Sequence, residues 1–299
     1  MNKLNRKFIP VIAVLTALWV AAPDTSFAQA NEVTKGYAPV NGLEMYYEIY
    51  GEGEPVVLLH GSFMTIGMNW EQIIPRLSKN HKVIALEMQG HGRTADVNRP
   101  FSYPSLASDV AALLEHLEIE NADVIGYSLG GTVAMQLAIQ NPELVDRLVL
   151  ISTVYKLDGW LPQVKTALKS MKPEFFDNTP PKTAYDSLAP DPDHWHTFVS
   201  KLLALDQKPF NLGEENVQHI SAPALLIMGD NDGVDLDHVA SMYRMFGGGV
   251  FGDMEGLPKS QLAIIPASTH VSLMMKTDKL LSIITPFLNP KTSSDKNNH

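Results

Sequence analysis

The stretch Val124-Ile-Gly-Tyr-Ser-Leu-Gly-Gly131 decides how the chain is read. A short apolar run enters it and the helix-like Thr132-Val-Ala-Met-Gln-Leu-Ala-Ile139 leaves it, with Ser128 standing between Gly126 and Gly130. A strand that turns abruptly into a helix needs residues with little or no side chain on both sides of its apex, because the backbone there is strained and closely packed. The spacing therefore predicts a strand–turn–helix with Ser128 at the apex. A serine hydroxyl is a poor nucleophile at neutral pH unless a base stands beside it. Such an apex is useful only if the rest of the chain supplies one.

Working outward, apolar strands alternate with amphipathic helices. Leu43 to Tyr50 alternates and is rich in aromatics, which predicts a strand paired with Tyr37 to Val40 across the turn Asn41-Gly42. Pro55 to His60 is a continuous apolar run, as expected of a strand covered on both faces, and Gly61 follows it. Further strands are predicted over Lys82 to Met88, Asp123 to Gly126, Val145 to Ser152, Ala222 to Gly229 and Gln261 to Pro266. Helices are predicted over Ser102 to Glu118, with Val110, Leu113, Leu114 and Leu117 on one face, and over Asp237 to Phe246 and Asp278 to Leu288. This alternation implies an α/β fold, a mainly parallel sheet of about eight strands with helices on both faces.

One segment breaks the rhythm. Residues 153–216 hold several prolines, three short helical patterns and no convincing strand, and a structureless loop of that length is rare in a compact domain. They are read as an inserted helical cap, with the core formed by residues 31–152 and 217–290. Of its apolar residues, Tyr155, Trp160, Leu161, Leu168, Phe175, Phe176, Tyr185, Trp195, Phe198 and Leu203, about two thirds are expected to pack the cap onto the core and the rest to line a pocket.

The ends and the composition bound the class. Lys3, Arg6 and Lys7 precede the apolar run Ile9 to Ala22 and the small-residue segment ending Ala28-Gln29-Ala30, which describes a cleaved secretory signal over residues 1–30. The apolar run is short for a membrane span, so no stable anchor is expected after cleavage, and the destination is periplasmic or extracellular. The remainder carries 20 Lys+Arg against 32 Asp+Glu, an acidic balance that argues against nucleic-acid binding. Cysteine is absent, which excludes disulfides and thiolate metal sites. The polar tail, residues 291–299, is read as disordered.

Four separated motifs together resemble the α/β-hydrolase fold family in its capped, esterase- and lipase-like form: His60-Gly61 after a strand, Gly126 to Gly130, Gly229-Asp-Asn-Asp232 after a strand, and Thr269-His270 shortly after the last strand. The resemblance implies Ser128 as nucleophile, His270 as its base, and as the acid Asp232, chosen among Asp230, Asp232, Asp235 and Asp237 by its distance from Gly229. Asp230 then orders its loop, and Asp235 and Asp237 start a helix. An oxyanion hole is implied between the backbone N–H of Leu129 and that of Ser62, or of Phe63 if the loop is offset by one residue. Phe63, Tyr127, Tyr155 and Trp160 are expected around the substrate. His60 is expected to order its own loop. His91 lies in Glu87-Met-Gln-Gly-His-Gly-Arg-Thr94, a tight turn where the family usually has an aspartate and a final serine in place of Glu87 and Thr94. His194 and His196 flank Trp195 at a spacing that suits a metal, but no further ligand cluster accompanies them.

The expectation is a serine hydrolase that cleaves carboxylic esters of small to medium apolar acyl or aromatic groups through an acyl-enzyme, with no cofactor and no metal. Serine at the apex, in place of aspartate, argues against a dehalogenase or epoxide hydrolase. Lactonase, amidase, perhydrolase and carbon–carbon bond hydrolase activities would use the same residues, and a ligand-binding protein that kept the fold is the rival from another class. Oligomeric state is not legible.

Overall fold

A computed structural model describes residues 33–289, so the expected leader and tail lie outside the described residues. The chain opens with β1 (Thr34–Val40) and β2 (Leu43–Tyr50), an antiparallel hairpin. Asn41 and Gly42 connect them with φ values of 48° and 83°, the left-handed pair that a two-residue turn needs to match strand twist. Next come β3 (Glu54–Leu59), α1 (Ile66–Trp70), α2 (Ile74–Leu77), β4 (His81–Leu86), α3 (Tyr103–His116), β5 (Ala122–Tyr127) and α4 (Leu129–Gln140). After β6 (Val145–Ile151) the chain leaves the sheet and builds α5 (Pro162–Ser170), α6 (Pro180–Leu188), α7 (Trp195–Gln207) and α8 (Glu214–Gln218). It returns with β7 (Ala224–Gly229), α9 (Leu236–Met245), α10 (Gly252–Glu255), β8 (Gln261–Ile265), α11 (His270–Met274) and α12 (Thr277–Leu288).

The eight strands form one sheet in the order β1-β2-β4-β3-β5-β6-β7-β8. Only the β1–β2 and β2–β4 pairings are antiparallel; from β4 through β3, β5, β6 and β7 to β8 every neighbour is parallel. Side chains alternate between two cores, as strand geometry requires. Val57, Leu59, Val124, Leu148, Leu150, Leu226 and Met228 face α3, α4 and the inserted helices. Val56, Leu58, Ile125, Val149, Ile151 and Ile227 face α1, α2 and α12. Both faces being covered explains why these strands read as unbroken apolar runs. No helix among the described residues is long and apolar enough to cross a membrane.

The inserted segment is helical and joins the first of these cores. Phe198 of α7 is 1% exposed and is the centre of an aromatic cluster with Phe63, His91, Phe101, Tyr185 and Trp195. Burying a side chain of this size contributes about 1.5–3 kcal/mol, so this cluster fastens the insertion to the loops after β3 and β4. Of the ten apolar residues singled out in the insertion, Trp160, Leu168 and Phe176 line the cavity beside Ser128; most of the others pack.

Candidate active site

Ser128 follows β5 and caps α4 with φ 52° and ψ −116°, a conformation that costs a non-glycine residue on the order of 1–3 kcal/mol and persists only where the surroundings hold it. They do. Its N–H donates to the Ile151 carbonyl at 2.9 Å, and its carbonyl accepts from the Thr153 hydroxyl at 2.9 Å. The flanking glycines are needed for space. A Cβ on Gly126 would come within 2.3 Å of the Gly130 carbonyl oxygen, and one on Gly130 within 2.1 Å of the Leu59 carbonyl oxygen.

The Ser128 hydroxyl lies 3.1 Å from His270 Nε2, and His270 Nδ1 lies 2.9 Å from Asp232 Oδ1. The carboxylate can only accept, so the Nδ1 carries the proton and Nε2 is left to take one from Ser128. His270 begins α11 behind the cap residue Thr269, whose capping box with Ser272 fixes the helix start. Tyr127 donates to the His270 carbonyl at 3.1 Å and holds the same turn from the strand side. The Asp232 side chain is fully buried. Burial alone would raise its pKa, but hydrogen bonds from His270, from the Ser152 hydroxyl and from the Val234 N–H outweigh it and hold the carboxyl below its usual range. Asp230 instead accepts from the Ser268 N–H and from Asn231, and Asp235 caps α9, so the neighbouring carboxylates order loops.

Ser152 is a residue that the sequence did not single out. It sits fully buried at the end of β6 with φ 49° and donates to Asp232 Oδ2. Nothing local marks it, since its partner is eighty residues away.

The loop after β3 is set by two neutral histidines. His60 donates from Nδ1 to the Gly61 carbonyl at 2.8 Å and accepts the Met88 N–H at Nε2, and burial lowers its pKa to about 4. His91 donates from Nδ1 to the Gln89 carbonyl and accepts the Phe63 N–H at Nε2, 3.3 Å away; burial first and then His60 push its pKa well down. The Phe63 N–H is thus already engaged. The N–H groups of Ser62 and Leu129 have no protein acceptor among the described residues. Glu87 accepts from the N–H groups of Ile66 and Arg93, while Thr94 donates to the Glu87 carbonyl and accepts the Tyr46 N–H. Both unusual turn residues therefore tie the turn together.

A cavity of about 390 Å³ opens onto Ser128 and His270. Ser62, Phe63, Tyr127, Leu129 and Trp160 are among its walls, with Leu168, Met171 and Phe176 contributed by the insertion. Trp160 also meets His270 edge-on at 5.4 Å. Tyr155, expected beside the substrate, is not on this wall: it is 1% exposed, stacks on His238 and donates its hydroxyl to Glu214. The bridge between Lys156 and Asn211 and the Leu212 N–H, which donates to the Tyr155 carbonyl at 2.9 Å, hold its backbone there. His194 and His196 bind separate carboxylates, Asp96 and Asp177, and among the described residues no three His, Asp or Glu side chains converge as a metal would require.

Residues 54–194 match the family model for the alpha/beta hydrolase fold. The fold is that of the α/β hydrolases. Among curated relatives, a soluble epoxide hydrolase from a Corynebacterium species is 35% identical over 125 residues, 42% of this chain and 43% of that protein. A 2-hydroxy-6-oxo-2,4-heptadienoate hydrolase from Pseudomonas putida is 38% identical over 119 residues, 38% of this chain and 42% of that protein. The chain thus spans under half the length of these two relatives. A meta-cleavage product hydrolase from Pseudomonas fluorescens is similar in structure, with a TM-score of 0.66 at 24% identity over 86% of this chain and 97% of that one, a likeness of fold.

Proposed function

We propose that this hydrolase cleaves carboxylic esters of small to medium acyl or aromatic groups through an acyl-enzyme on Ser128. The observation that carries the reading is the continuous hydrogen-bond chain from Ser128 through His270 to Asp232, opening into one cavity. His270 takes the serine proton as the hydroxyl attacks the carbonyl and returns it to the leaving alcohol; Asp232 holds the tautomer and stabilises the imidazolium. Ser62 and Leu129 N–H groups receive the oxyanion, and the engagement of the Phe63 N–H by His91 favours Ser62. Water then releases the acid by the same route.

The relatives suggest a second reading, hydrolysis of a carbon–carbon bond in a dienoate. Such a substrate carries a carboxylate, whereas neither lysine nor arginine lines the cavity, which favours the ester. Serine at the apex likewise separates this chain from epoxide-opening chemistry by aspartate. The test is a panel of 4-nitrophenyl esters of increasing acyl length beside a 2-hydroxy-6-oxo-dienoate, with fluorophosphonate labelling of the native and Ser128→Ala proteins. Turnover of short and medium esters with labelling confined to Ser128 is expected. Rates that climb steadily to long chains, or a dienoate preferred over every ester, would reject the reading.

Export is part of the same proposal and rests on the composition of residues 1–30. Full-length protein expressed in a Gram-negative host is expected in the periplasm or medium with its N-terminus at Asn31. An intact leader in the cytoplasm would refute it.

A further inference from the structure

One group on the cavity wall takes no part in this chemistry. Asp206 of α7 lines the cavity together with Tyr103 of α3, among walls that are otherwise mostly apolar. Among the described residues its carboxyl has no hydrogen-bond donor and no cation beside it, and burial alone raises its pKa to about 7. Tyr103 is 6% exposed, and its hydroxyl likewise lacks a protein partner. Burial and then the charge of Asp206 push that hydroxyl's pKa up. Asp206 also borders a groove outside the insertion where Lys165 and Lys169 stand, but Lys165 is paired with Asp158 at 2.8 Å. Asp206 is half-buried, and its carboxyl has no donor, whereas the buried Asp109 is held by Arg99 and Asn41. Asp206 and Tyr103 are left open toward the space in which substrate sits.

We propose that Asp206 and the Tyr103 hydroxyl form a polar subsite that selects substrates whose non-scissile end carries a hydroxyl or an amine and rejects those ending in a carboxylate. This rests on the ester-hydrolase reading of Ser128. A hydroxyl donates to Asp206 and accepts from Tyr103, and an ammonium pairs with the ionised carboxylate. An anionic end meets a like charge with no lysine or arginine on the wall to offset it.

The experiment compares 4-nitrophenyl hexanoate, 6-hydroxyhexanoate and the monoester of adipic acid. The native enzyme is expected to favour the hydroxylated ester over the plain one by about tenfold or more in kcat/KM and to turn over the adipate least. In Asp206→Leu the hydroxyl preference disappears, in Tyr103→Phe it shrinks, and in Asp206→Asn, which keeps an acceptor, most of it survives. An unchanged ratio in Asp206→Leu overturns the inference. Calorimetry on Ser128→Ala, with and without Asp206→Leu, reads the same preference without turnover; equal affinity for the two neutral esters also overturns it. Failure of the native protein to hydrolyse any ester would reject the reading of Ser128, while the binding comparison would still decide the role of Asp206.

Discussion

Asp230 and Asp232 lie two positions apart and have opposite surroundings. Asp232 is sealed from water and bonded to His270, whereas Asp230 ties down the backbone at Ser268. Asp232→Asn is expected to lower kcat by roughly three to four orders of magnitude, because the amide no longer fixes the tautomer of His270, and Asp230→Asn by only a few-fold. Steady-state ester kinetics on the two variants decide this. Asp206 yields a pH prediction of definite sign. Its folded pKa of about 7 lies above that of an unfolded aspartate, so the folded protein holds a proton that the unfolded chain has lost. Stability falls as pH rises from about 4 through about 7, and the deficit persists above that. Asp206→Asn should accordingly raise Tm at pH 8, with the gain shrinking toward zero near pH 4; an equal gain at both pH values would contradict it. Ser128, Asp232 and His270 were legible because the family that the four motifs resemble sets each at a fixed distance after a strand. Ser152 and Asp206 were not, since a serine or aspartate acquires meaning only from what the fold sets against it.

At the scale of elements, the turn around Ser128 is bounded by backbone on both sides. Gly130→Ala would drive its Cβ into the Leu59 carbonyl, and overpacking of this kind costs about 1–3 kcal/mol or more. Gly67 contrasts with it. It lies exposed in α1, where an added Cβ would meet nothing nearer than Thr65 Oγ1 at 3.9 Å, so Gly67→Ala should stabilise by about 0.5–1 kcal/mol. Chemical denaturation of both variants, read as opposite shifts of the midpoint, is the check. All eight strands and the helices α3, α9 and α12 could be read from apolar runs and periodicity, to within a residue or two except at β1, which starts three residues before the expected Tyr37. The helices α1 and α2 could not, being five and four residues long and too short to show a period. The position of Tyr155 was lost for another reason. Its aromatic ring suits a pocket and a packed interior equally, and only the fold shows its partners, the His238 ring on which it stacks and the Glu214 carboxylate to which it donates.

For the whole molecule, the site is assembled from one half of the sheet: Ser128 follows β5, Asp232 follows β7 and His270 follows β8. The first two strands lie between neighbours, but β8 is an edge. It has five residues, pairs only with β7, and leaves Leu262 and Ile264 partly open to solvent at 36% and 39%. Local opening is easiest where a strand has one partner and little buried surface. The proposed base thus hangs on the edge strand of the parallel region, while the proposed nucleophile follows a fully buried one. Catalytic competence should therefore end before the fold does. In urea, the midpoint for loss of esterase activity is expected below the midpoint for loss of helical circular dichroism, and amide hydrogens of β8 are expected to exchange ahead of those of β5. Coincident midpoints would mean that β8 opens only with the rest of the sheet. The difference between the two curves would measure a state with its cores intact and its histidine out of reach of Ser128, an enzyme that is folded and idle.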